Sequence, residues 1–109
     1  MAGAFEKEEL YKIGLLNTQI PPRYNTSYFN HVWDGGYAAG YYSYLWTEVL
    51  AVNIADYFAK HGALDPAVGL SFRDKILSRG NTKDQMEMFT DFTGMKQPDA
   101  SGFLKARGL

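Results

Sequence analysis

The apolar positions of this chain recur at helical spacing, and nowhere do they alternate with polar ones over a useful length. Glu6 to Ile13 (EKEELYKI) combines good helix formers with acids in its first turn and Gly14 beyond its end, so a helix is predicted there. Pro21-Pro22 removes two backbone donors, which makes residues 15–30 a connector. Asp34-Gly35-Gly36 reads as a flexible turn. Beyond it, 38–60 is predicted as one long helix closed by Gly62. Asp65 and Pro66 supply an N-cap and a first-turn proline for a helix over 67–78, closed by Gly80. Thr82 is placed to cap a third helix over 83–92, closed by Gly94. Pro98-Asp99 opens a short fourth, stopped by Gly108. With no strand pattern and no repeats, the predicted class is all-α.

The long segment changes the picture. Tyr41, Tyr44, Leu45, Glu48 and Val52 fall on one face at a 3.6-residue period; Tyr42, Trp46, Val49, Asn53 and Tyr57 fall on another. Between 38 and 60 only Glu48, Asp56 and Lys60 are charged. A helix apolar nearly all round is normally buried on every side, and three short helices are too few to surround it. The pattern therefore calls for a larger body around the chain, or for self-association.

Composition narrows the chemistry. At 109 residues the chain is one domain or part of one, and a hydrophobic content of 46% is enough for a core. A net charge of -1 without like-charge runs argues against nucleic acid as a partner, and no apolar run has the ~20 residues of a membrane helix. The absence of cysteine excludes disulfides and thiolate metal sites, and favours the cytoplasm mildly over the periplasm. Residues 1–4 read as a cloning remnant ahead of the segment over 5–109.

Only two histidines are present, His31 and His61, and no His-Glu-x-x-His occurs, so a zinc-peptidase centre is not encoded here. DGGYAAG has neither the preceding strand nor the Lys-Ser/Thr of a phosphate loop. The chemistry-bearing pattern is His31 followed by Tyr37, Tyr41 and Tyr44. Steps of four and three would stack the phenols along one helix face beside the glycines. Imidazole and phenol donors of this kind can stabilise the oxyanion formed when water attacks a peptide carbonyl. Aromatic stripes at helical spacing are also ordinary core, and spacing alone leaves both readings open. Arg73 and Arg79 are candidates for a substrate carboxylate but fit structural pairing better. The methionines of QMEMF read as packing, and His61 as a favourable charge at a helix C-terminus.

The stretch YFNHVWDGGYAAGYYSYLWTEVLA, with FRDKILSRGN and FLKARGL after it in the same order, resembles the C-terminal region of the thimet oligopeptidase family of zinc metallopeptidases. IPPRY, SYF-x-H and the Arg-Gly-Leu end resemble its bacterial peptidyl-dipeptidases. The resemblance implies a two-lobed all-α enzyme acting on short peptides, with the remainder of its catalytic domain as this chain's partner. It also implies a zinc ion held by residues outside this chain. By position, Tyr37 and Tyr44 would bind the scissile carbonyl and its tetrahedral intermediate, and His31 the bound substrate. Tyr41 would assist positioning, and Gly35, Gly36 and Gly40 would form a loop over the cleft. Asp34 departs from the small or apolar residue the family pattern carries there. The alternative is a small helical interaction module with no catalytic role.

Overall fold

The structure, a computed structural model, describes residues 1–109 and contains helices and turns but no strand. It divides into two units, residues 1–42 and 43–109.

In the first unit, α1 spans Ala2–Lys12, starting four residues before the predicted helix because Ala2 and Ala4 propagate it backwards. Gly14, at φ +74°, stops it. The Gly14 N–H donates to the Tyr11 carbonyl (3.1 Å) and the Leu15 N–H to that of Leu10 (2.8 Å), the paired bonds of a Schellman end. The predicted connector holds a single 3₁₀ turn, Thr26–Tyr28, and then a one-turn helix that the sequence pattern did not announce, α2 at Asn30–Trp33. The connector is anchored to α1 by the Glu6 carboxylate, which accepts from the Thr26 N–H (3.1 Å) and hydroxyl (3.2 Å).

The second unit opens with α3, Ser43–His61, and continues through α4, Pro66–Phe72. Asp65 caps α4 by accepting from the Ala67 N–H at 2.7 Å, with Pro66 in the first turn as predicted. Past Phe72 the helix widens into a π turn, Arg73–Leu77. Next come α5, Gln85–Thr93, and α6, Ser101–Ala106. Thr82 does not cap α5, since its hydroxyl donates to the Arg79 carbonyl (2.7 Å). Asp84 caps it instead, accepting from the N–H groups of Met86 (2.9 Å) and Glu87 (3.0 Å). Asp84 immediately precedes Gln85, so its Oδ1 alone reaches the N–H groups of the second and third helical residues, whereas Thr82 lies two positions too early.

The core of this unit is small: Met88, Phe89 and Phe92 on α5 are its buried apolar residues. Phe92 meets Tyr57, Phe58 and Phe72 at ring separations of 4.6, 5.8 and 5.2 Å, which joins α3, α4 and α5. The methionines of QMEMF pack as expected, Met88 buried and Met86 half-buried. One buried polar residue fastens α6 to α3. Asn53 donates its amide to the Asp99 carbonyl and accepts the Asp99 N–H, both at 2.7 Å. Glu48 on α3 receives Arg107 through both carboxylate oxygens (2.6 and 2.7 Å).

The predicted burial of the long helix differs in an informative way. Only Asn53 of α3 is buried, whereas Tyr44, Leu45 and Trp46 remain about half exposed. The helices of this unit cover the side of α3 that carries Asn53 and leave its first turns bare.

Candidate functional site

The predicted tyrosine file is corrected by the structure. The helix expected from residue 38 begins at Ser43, so Tyr37 and Tyr41 lie in turns before it and share no helix face with Tyr44. The reason is local. Gly36 takes φ +77°, and the chain to Gly40 is held by a four-residue turn in which the Gly40 N–H donates to the Tyr37 carbonyl (3.1 Å). Glycines at 35, 36 and 40 remove the propensity that would carry the helix back across Tyr37.

The turns nevertheless gather the expected residues of the first unit around His31. Its ring lies 5.4 Å from that of Tyr41 and 6.1 Å from that of Tyr37. The Tyr37 N–H donates to the His31 carbonyl (2.9 Å), tying the loop back onto α2. Gly35 permits this approach because a Cβ there would stand 2.9 Å from the His31 Cα and 3.1 Å from its carbonyl oxygen. Gly36 is required by its left-handed backbone, while Gly40 has open space around it. His31 and Tyr41 are half-buried, and Tyr37 is partly exposed. Tyr44, on the first turn of α3, belongs to the second unit and is half exposed.

Two further aromatic residues complete the cluster. Phe29 packs edge-on against Tyr41 (4.7 Å) and lies 6.3 Å from His31; Tyr24 lies 4.9 Å from Phe29 and 5.8 Å from His31. Edge-to-face packing of this kind fixes ring orientation as well as burying area. Trp33 locks the same segment, its indole N–H donating to the Thr26 carbonyl at 2.6 Å. The available signal for these residues was the density of aromatics immediately before His31 in RYNTSYFNHVW, which a search for helical spacing passes over.

The other candidates of the sequence lie in the second unit. Arg73, the first residue of the π turn, pairs with the Asp74 carboxylate (2.9 Å), and Arg79, just past it, donates to the Asp74 carbonyl (2.8 Å), so both serve that turn. His61 stacks on Tyr57 (4.0 Å) and directs Nδ1 to the Tyr57 carbonyl (2.9 Å) at the C-terminal end of α3, a position that favours positive charge.

The donors of this chain do not fit a zinc centre. Its two histidines belong to different units, and no three His, Cys, Asp or Glu side chains converge. No helix is long and apolar enough to cross a membrane.

Comparison with known proteins gives a consistent picture. A family model described as Peptidase family M3 matches residues 6–109. The chain is 49% identical over 90 residues to the dipeptidyl carboxypeptidase of Escherichia coli (strain K12), covering 83% of this chain and 13% of that protein. It is 43% identical over 105 residues to the dipeptidyl carboxypeptidase of Salmonella typhimurium, covering 96% and 15%. It is 44% identical over 81 residues to oligopeptidase A of Haemophilus influenzae, covering 74% and 12%. The chain thus spans roughly one-seventh of the length of these relatives. No solved structure matches it.

Proposed function

From the premise that this chain belongs to peptidase family M3, we propose that it is the C-terminal part of the catalytic domain of a peptidyl-dipeptidase. Such an enzyme removes dipeptides from the C-terminal end of short peptides. In this reading the chain supplies groups that hold the substrate, and the zinc of the parent enzyme, which provides the activated water, is bound by residues outside it. Its partner is the remainder of that catalytic domain, and its place is the cytoplasm.

The observation that carries the reading is the approach of Tyr37 and Tyr41 to His31, at ring separations of 6.1 and 5.4 Å, within a segment covered by the family match. In the proposed roles, Tyr37 and Tyr44 donate to the oxygen of the scissile carbonyl. His31 hydrogen-bonds the peptide, Tyr41 keeps His31 in position, and the turn through Gly35, Gly36 and Gly40 lies over the bound chain. A phenol aimed at the developing oxyanion interacts more strongly with the transition state than with the ground-state carbonyl, and only that difference accelerates the reaction.

The test is Tyr37→Phe and Tyr44→Phe in the full-length enzyme. Each is expected to lower kcat by about 10²–10³, the usual loss for one oxyanion donor, while KM changes little. Phenylalanine keeps the ring and its packing, so the melting temperature should hardly move. Wild-type kcat in both variants, with a lowered melting temperature, would show that the tyrosines are packing residues.

A further inference from the structure

Three of the four arginines are already committed: Arg73 to the Asp74 carboxylate, Arg79 to the Asp74 carbonyl, and Arg107 to both oxygens of Glu48. Arg23 differs from them. It is exposed and within ion-pair distance of no carboxylate, and its guanidinium lies over the Tyr24 ring at 5.4 Å. That ring is part of the aromatic cluster, 4.9 Å from Phe29 and 5.8 Å from His31. Stacking occupies the face of a guanidinium and leaves its N–H edge available, the edge that matches a carboxylate with two parallel hydrogen bonds. Pro21 and Pro22 precede it directly and restrict the backbone that carries it. Among the lysines of this unit, Lys12 is taken by Glu8 and Glu9, and neither it nor Lys7 offers a planar fork.

We propose that Arg23 reads the free C-terminal carboxylate of the peptide substrate and is the residue that makes cleavage depend on the chain end. The proposal rests on the peptidyl-dipeptidase reading above. An enzyme that releases dipeptides has to measure two residues from the terminus, and a cation at a set remove from the carbonyl-binding groups does this. An extended dipeptide spans about 7 Å. Arg23 is linked to His31 through the Tyr24 ring by steps of 5.4 and 5.8 Å, so the guanidinium lies near the imidazole on the same aromatic platform. The aromatic platform orients the guanidinium and withholds one of its faces from water, which strengthens the pairing.

The experiment compares the full-length wild type with Arg23→Gln and Arg23→Lys on one peptide carrying either a free C-terminal carboxylate or a C-terminal amide. Calorimetry of a product dipeptide and of its amide supplies a binding readout that needs no turnover. The wild type is expected to favour the free acid and to release dipeptides. Arg23→Gln should raise KM for the free acid about 10–100-fold, the scale of charge-assisted hydrogen bonds, and leave the amide unchanged. Arg23→Lys should fall between, keeping charge without the fork. If Arg23→Gln retains the wild-type preference and dipeptide affinity, the assignment of Arg23 is overturned while the peptidyl-dipeptidase reading stands. If the wild type itself makes no distinction between acid and amide, that reading falls and the assignment with it.

Discussion

Asn53 offers the sharpest test of how the second unit is held together. Its side chain is 5% exposed, and it makes two hydrogen bonds of 2.7 Å, donor and acceptor, to the main chain of Asp99, 46 positions away. Replacing it with alanine removes both bonds and leaves an N–H and a carbonyl in a part-buried place. Each net bond contributes about 1 kcal/mol, and a stranded buried group costs about 1–3 kcal/mol, less where water can enter. Asp99 is itself exposed, so partial rehydration places Asn53→Ala at about 2–4 kcal/mol. In a domain of this size 1 kcal/mol moves the melting temperature by about 4–8 °C, so a fall of roughly 8–32 °C is expected by circular dichroism. Hydrogen exchange should also show the Asp99 amide losing its protection. Asn53→Asp sharpens the reasoning. An ionised carboxylate keeps the acceptor for the Asp99 N–H but faces the Asp99 carbonyl without a proton, whereas the protonated acid restores a donor. That variant should therefore lie closest to wild type at acid pH and fall away as pH rises. A melting temperature within about 2 °C of wild type for Asn53→Ala would refute the clasp.

Two other perturbations follow from local geometry. Gly35→Ala places a methyl against the His31 backbone, at 2.9 Å from Cα, and should cost about 1–3 kcal/mol as overpacking does. Gly40→Ala, with open space and no positive φ, should be neutral or gain about 0.4–1 kcal/mol; equal melting temperatures for the two would contradict the packing described. Hydrogen bonds from the Ser101 hydroxyl and N–H hold the Asp99 carboxyl below the usual carboxylate range, and Lys83 does the same for Asp91. A carboxyl depressed by folding adds stability above its unfolded pKa of about 3.9, and that stability is lost as pH falls through the lower folded value. Acid unfolding should therefore steepen below about pH 4, and Ser101→Ala should raise the Asp99 titration midpoint followed by NMR.

Much of the helical layout was legible in the order of residues, because helix ends are decided locally. Gly14, Gly62, Gly94 and Gly108 all adopt the left-handed backbone that stops a helix, and Asp65-Pro66 starts one where predicted. The family was legible too, through blocks spread along the chain that now coincide with a match over residues 6–109. The choice of cap was less so: Thr82 and Asp84 both suit the role by residue type, and only the actual register of α5 selects the carboxylate. The candidate site was half readable. His31, Tyr37 and Tyr41 could be named from sequence, but the helix assigned to them was wrong, since the turn through Gly35 and Gly36 replaces periodicity with contacts that periodicity does not encode. Tyr24 and Phe29 enter only because the connector folds its rings back beside His31. Likewise Asn53 meets Asp99, and Glu48 meets Arg107 across 59 positions, through the packing of α6 on α3. Local propensity acts over a few residues and can be read from them; partners dozens of positions apart are chosen by which surfaces bury each other, and that is settled only in three dimensions.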